Sequence, residues 1–246
     1  KLSDKIQINN LNFKEKIDKK VKFKYIPSKK DLSFSSNLFI ENNENFVVIN
    51  KPSGIAVQSG TKSFKNIIDI LNNSKYFNNS KPFIVHRIDK ETSGILIVAK
   101  NKKFAQLFTS LFRIRKIHKT YLALVKGEVP KSLNKMEDYL EYFEKNKKTR
   151  LKAITYLKVL KSNYRYSLLE LNPKTGRKHQ LRKQLYMRGF PIIGDNKYNL
   201  EKNKKFKNQF MLLHSYKIRF IKNEKKFNYQ ASLDNDFKKK LELYFK

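Results

Sequence analysis

A chain of 246 residues is long enough for one large domain or two small ones with a substantial core. Its 55 Lys+Arg against 21 Asp+Glu give a formal net charge of +34, which points to a polyanionic partner, nucleic acid before membrane. The absence of Cys excludes disulfides, Cys-based zinc sites and a thiol nucleophile, and no run approaches the roughly 18 apolar residues a membrane-spanning helix needs.

Residues 1 to about 27 are lysine-rich with short apolar positions at Ile6, Ile8, Val21, Phe23 and Tyr25, the pattern of an edge strand or a basic tail. The start, Lys1-Leu2-Ser3-Asp4-Lys5, lacks the apolar core of a secretory signal, so the cytoplasm or an organelle matrix is expected. Residues 28 to 36 read as a linker, dividing the chain into a segment 1–36 and a domain 37–246. Leu38-Phe39-Ile40 and Phe46-Val47-Val48-Ile49 predict two short strands across a polar turn at Glu41–Asn45. Ile67, Ile68, Ile70 and Leu71 suggest a helix. Ile95 to Ala99 is a continuous apolar run and reads as a buried strand. Phe104, Leu107, Phe108 and Leu111 recur with helical spacing. Lys116 to Gly127 reads as a strand, residues 131–150 as a polar, hairpin-like insertion, and 151–160 and 163–171 as two more strands. Lys174-Thr175-Gly176 is then a strand-to-helix turn, with Leu181 and Leu185 on one face of the helix, and 235–246 suits a basic amphipathic helix. Strands and helices alternate without a regular βαβ beat, which predicts an α+β fold with a mainly antiparallel sheet.

Three segments carry chemistry-bearing residues. His86-Arg87-Ile88-Asp89-Lys90-Glu91-Thr92-Ser93-Gly94 mounts a carboxylate, Asp89, on a loop that runs into the buried strand, a rigid place for a reactive group. By spacing alone, an Asp beside an Arg is equally a surface ion pair or a turn cap. Asn172 to Arg182 places Arg177 and Arg182 near a helix start, where a basic helix with solvated cations is the plain alternative. Tyr121 lies in an amphipathic strand, where a core role is the plain reading. The four histidines, at 86, 118, 179 and 214, include no two at close metal-ligand spacing, so no metal site is expected.

Taken in order, these segments resemble the RluA-type pseudouridine synthases. His86 to Gly94 is similar to that family's HRLDxxTSG signature, with Ile88 for Leu. Thr175 to Arg182 resembles TGRTHQIR, with Lys178 for Thr and Leu181 for Ile. Lys116 to Gly127 looks like KxYLAxVxG, Lys51 to Val57 like NKPxGxxV, Gly189 to Asp195 with Tyr198 like GxPIxGDxxY, and Leu212 to Phe220 like LHAxxLxF. One departure is Lys183-Gln184-Leu185, where the family often continues VHL; it lies at a packing position.

The resemblance implies a pseudouridine synthase fold, with a long bifurcated sheet and the cleft across its middle, preceded by the end of an αL RNA-binding module. It implies isomerisation of uridine to pseudouridine in RNA, without cofactor, ATP or metal. Asp89 would be the catalytic carboxylate, as nucleophile or as base. Arg182 would keep it charged and fix its orientation through a bidentate pair, Tyr121 would stack on the uracil, and Leu181 would form an apolar wall. Arg87 would fill the space left by a base flipped from the helix, and His86, Thr92, Arg177, His179 and Gln180 would contact the RNA. Large-subunit ribosomal RNA, as in the RluC and RluD branches, is the expected substrate, with tRNA the alternative, and a monomer is expected. Two other readings stay open: a catalytically silent RNA-binding scaffold, and a basic DNA-binding domain, disfavoured by the lack of a reader-helix motif.

Overall fold

The computed structural model describes residues 25–60, 64–144, 147–200 and 210–246. A short helix α1 (Lys29–Ser35) precedes strands β1 (Phe39–Asn42) and β2 (Phe46–Lys51). Helix α2 (Ile67–Asn72), strands β3 (Phe83–Ile84) and β4 (Ser93–Ala99), and helix α3 (Lys102–Arg113) follow. Then come β5 (His118–Lys126), β6 (Lys135–Glu144), β7 (Lys147–Ser162), β8 (Tyr166–Pro173) and α4 (Gln180–Met187). Strands β9 (Leu213–Lys222) and β10 (Lys225–Gln230) and helix α5 (Asn235–Tyr244) end the chain. Three helices begin where a side chain caps a free amide: Asn66 accepts from Asp69, Asn101 from Phe104, and Asp234 from Phe237.

The strands form one ten-stranded sheet in the order β1-β2-β4-β9-β5-β8-β7-β6, with β3 beside β4 and β10 beside β9. Among the named strands every pairing is antiparallel except β4–β9, which brings Ser93 opposite His214 and Gly94 opposite Ser215. Strand β4 is apolar on both sides because both are covered. Ile95 and Ile97 pack with Phe104 and Phe108 of α3, whereas Leu96 and Val98 pack with Ile67 and Leu71 of α2. In the other half, Leu181 and Leu185 of α4 cover Ala123, Val125, Leu169 and Leu171, and Phe237 of α5 packs on Leu122 and Leu124. The mainly antiparallel α+β architecture read from the sequence is therefore present.

The segment read as a linker contains α1. A single buried carboxylate organises it: Asp31 accepts from the Ser28 amide at 3.0 Å, the Ser28 hydroxyl at 2.7 Å, the Tyr25 hydroxyl at 2.5 Å, and the Lys65 ammonium. Lys65 first, then Tyr25 and Ser28, hold the Asp31 carboxyl well below the usual carboxylate range. The polar insertion at 131–150 belongs to a long β6–β7 hairpin, with Met136 buried against the α4 cluster. The strand positions expected at Ile6, Ile8, Val21 and Phe23 lie outside the described residues.

Candidate active site

The Asp89 loop is held by its backbone. The carbonyl of Asp89 accepts from the Thr92 amide at 3.1 Å, that of Lys90 from the Gly54 amide at 2.9 Å, and that of Glu91 from the Ser53 hydroxyl at 2.6 Å. Lys51 is fully buried, and its ammonium donates to the carbonyls of Pro52, Ile55 and Lys90 at 2.7, 2.8 and 3.2 Å. Burial pulls the Lys51 amine down to about 7, against the opposing charges of Glu91 and Asp89. The turn that resembles NKPxGxxV thus serves as a cradle for the carboxylate loop.

Both ends of the loop are tied to strands. His86 Nε2 accepts from the Ile97 amide of β4 at 2.9 Å, and its ring lies 4.5 Å from that of Phe112. Burial pushes its imidazole down to about 3, so it is neutral at neutral pH. At the other end the Ser93 hydroxyl lies 2.9 Å from His214 Nδ1, while His214 Nε2 lies 3.3 Å from the Ala231 carbonyl. A carbonyl only accepts, so Nε2 carries the proton and Nδ1 accepts from Ser93. Gly94 has φ +101°, and a Cβ there would stand 2.3 Å from the Ser215 carbonyl oxygen. The Thr-Ser-Gly turn is therefore required by the close parallel approach of β9.

The facing wall is the β8–α4 turn. Gln180 holds it: its Oε1 accepts from the Thr175 hydroxyl at 2.7 Å and the Arg177 amide at 3.1 Å. Its Nε2 donates to the Ile154 carbonyl at 3.2 Å and to Thr155 at 2.9 Å. All four hydrogen-bonding positions of the amide are filled within the protein. Gln184, the departure from the family pattern, is fully buried and bonds Thr155 at 2.7 Å and Asp138 at 2.7 Å. Arg177 Nε donates to the Lys152 carbonyl at 3.1 Å.

His179 and Arg182 project toward Asp89 from this wall. His179 sits at the α4 N-cap in the left-handed conformation, φ 53°, with Nε2 3.8 Å from Asp89 Oδ1 and Nδ1 3.0 Å from the Tyr198 hydroxyl. Arg182 donates one bond to Asp89, from Nη1 to Oδ2 at 3.1 Å. Its bidentate partner is Asp195, reached from Nε at 2.7 Å and Nη2 at 2.8 Å, not Asp89 as expected. Burial opposes the charge of Arg182, yet the bonds and charge of Asp195, then those of Asp89, hold its pKa above the ordinary value.

All ten residues expected at the site line one cleft of about 990 Å³. Asp89 lines it with its side chain a quarter exposed, together with Leu181, Tyr121 and the exposed Arg87. Burial pushes the Tyr121 phenol up to about 12, with Ser215 as its hydrogen-bond partner. Arg113, Arg115, Lys119, Lys174 and Arg219 also line the cleft. The sequence reading had not assigned these five to the site: Arg113, Arg115 and Lys119 run from the end of α3 into β5, Lys174 follows β8 and Arg219 lies on β9, so tertiary placement brings them together.

Residues 45–186 match the family model described as RNA pseudouridylate synthase. The chain belongs to that family. It is an RNA-modifying isomerase in class, as the motifs implied. It is 36% identical over 97% of its length, and 79% of the relative's, to the ribosomal large subunit pseudouridine synthase C of Buchnera aphidicola subsp. Schizaphis graminum. It is 35% identical, over 98% of its length and 80% of the relative's, to the protein of that name from Rickettsia conorii. Among solved structures it resembles human RNA pseudouridylate synthase domain containing 4, with a TM-score of 0.71 and 26% identity, covering 87% of this chain and 96% of that one.

Proposed function

We propose that this chain converts uridines of large-subunit ribosomal RNA to pseudouridine, with Asp89 acting at the sugar–base junction of a flipped nucleotide. The observation that carries the reading is a carboxylate in the cleft, hydrogen-bonded by a buried guanidinium, with Tyr121 and Leu181 lining the same cleft. In the isomerisation the N1–C1′ bond of uridine breaks, the base turns, C5 bonds to C1′, and the proton on C5 leaves as N1 regains one. Nothing is oxidised or consumed. Asp89 acts as nucleophile or base at the ribose, Arg182 orients it through a hydrogen bond, and Tyr121 stacks on the uracil. Arg87 stands at the mouth to take the place of the extruded base.

The names of the relatives favour large-subunit ribosomal RNA over tRNA. A monomer working in the cytoplasm suffices for this chemistry, with residues 37–246 as the catalytic unit. Strands β4 and β10 both pair with β9 beside β5, which supports a sheet that divides at β9.

Asp89→Asn tests the assignment. Release of tritium from C5 of uridine in large-subunit ribosomal RNA is expected to fall by ~10³-fold or more, while filter-binding affinity for that RNA stays within about twofold. Undiminished tritium release from the variant would remove Asp89 from the chemistry. Pseudouridine mapping of RNA from cells with and without the gene names the substrate: sites lost only from tRNA would replace ribosomal RNA. An unchanged map, without a redundant paralogue, would favour a silent RNA-binding scaffold.

A further inference from the structure

The turn Gly194 to Tyr198 contributes no lining residue to the cleft, yet it touches both side chains that face Asp89 from the α4 wall. Asp195 is completely buried at its side chain. It accepts two bonds from Arg182, and its Oδ1 also accepts the amides of Lys197 at 2.9 Å and Tyr198 at 3.0 Å. With Nε and Nη2 fixed on Asp195, the planar guanidinium leaves Nη1 pointing at Asp89. Tyr198 packs its ring under the same guanidinium, 5.3 Å from centroid to Cζ, and places its hydroxyl 3.0 Å from His179 Nδ1. A carboxylate accepts hydrogen bonds and repels lone pairs, so the His179 tautomer that suits Asp89 carries its proton on Nε2. Nδ1 is then the acceptor and the Tyr198 hydroxyl the donor. Nε2 lies 3.8 Å from Asp89 Oδ1, beyond a direct hydrogen bond.

We propose that Asp195 and Tyr198 are positioning residues of the reaction. Asp195 aims the Arg182 guanidinium at Asp89, and Tyr198 sets the tautomer and orientation of His179, so that two donors from the start of α4 face the working carboxylate. The inference rests on the isomerase reading of this cleft. It gives Tyr198 a role that acts through His179 and not on the RNA.

A double-mutant cycle decides it. Tyr198→Phe keeps the ring and removes only the hydroxyl of a half-buried residue, so the fold is retained. Turnover at saturating ribosomal RNA, tritiated at uridine C5, is expected to fall roughly tenfold in Tyr198→Phe and in His179→Gln alike, with KM within about twofold. The double variant is expected to be no slower than either single one, because both remove the same link. Losses that multiply, or a rise in KM at unchanged kcat, would overturn the proposal. Asp195→Asn is expected to lower kcat by ~10²-fold at unchanged KM, with its thermal transition recorded alongside; should it unfold, the Tyr198 arm decides.

Nitrogen-15 signals of the histidine rings give a readout independent of turnover. His179 is expected as the Nε2–H tautomer in the native protein and as a mixture in Tyr198→Phe. An Nδ1–H tautomer in the native protein, or signals indifferent to the hydroxyl, would overturn the positioning role. Expected ring signals in a protein that modifies no RNA would overturn the isomerase reading and leave the positioning geometry standing. An active protein with multiplying losses would do the reverse.

Discussion

Three successive carbonyls, those of Asp89, Lys90 and Glu91, are each held by a donor: Asp89 by the Thr92 amide of its own turn, Lys90 and Glu91 by the 51–54 turn. The direction of the Asp89 side chain is thereby set by backbone bonds before Arg182 adds its own. His86 belongs to this arrangement, since its neutral Nε2 accepts from β4. Its imidazole is depressed to about 3 in the folded protein, below the ordinary 6.5. Between those values the unfolded chain binds a proton that the folded chain does not, so this contribution is complete above about pH 6.5 and is lost as pH falls toward about 3. On acidification the unfolding free energy from urea titration should fall less steeply in His86→Gln than in the parent, by on the order of 1 kcal/mol, because some solvent reaches the ring. Equal slopes would remove His86 from the balance. At this scale the sequence showed which residues gather, since the ten named ones meet in one cleft. It did not show what each bonds. That Arg182 grips Asp195, thirteen residues on, and that Gln180 has every polar atom occupied, are outcomes of tertiary placement that spacing does not encode.

Among the elements, β4 is the clearest case of a strand readable from apolar composition, because it is covered on both faces by α2 and α3. Its glycine is as constrained as its apolar side chains. Gly94→Ala puts a Cβ against the Ser215 carbonyl at a φ that L-residues avoid, and is expected to cost about 3 kcal/mol or more by chemical denaturation. A loss below about 1 kcal/mol would show that β9 moves aside freely. Helix α1 escaped the sequence reading for a physical reason. It lacks apolar periodicity and stands on Asp31, whose cation comes from Lys65, 34 residues away. The β6–β7 hairpin was readable only in location, since its outer face carries charged pairs such as Lys152 with Glu137.

For the whole molecule, a net charge of +34 makes phosphate contact the main source of RNA affinity. With Arg113, Arg115, Lys119, Lys174 and Arg219 along the cleft, raising salt from 50 to 200 mM is expected to weaken binding by about 10²–10³-fold. A shallow salt slope in filter binding would mean that few of these cations reach phosphate. The fold class was legible because strand patterns were plentiful and no βαβ rhythm competed with them. The one parallel pairing of named strands was not, since nothing local announces that Ser93 will meet His214. That pairing orders events in time. The two residues lie 121 positions apart, and the Asp89–Arg182 bond spans another 93. During synthesis the early strands can collapse on α2 and α3 long before β9 leaves the ribosome. Until it does, the turn behind Asp89 has no parallel neighbour to lean on, so the last part of the cleft to set is the part that carries Asp89.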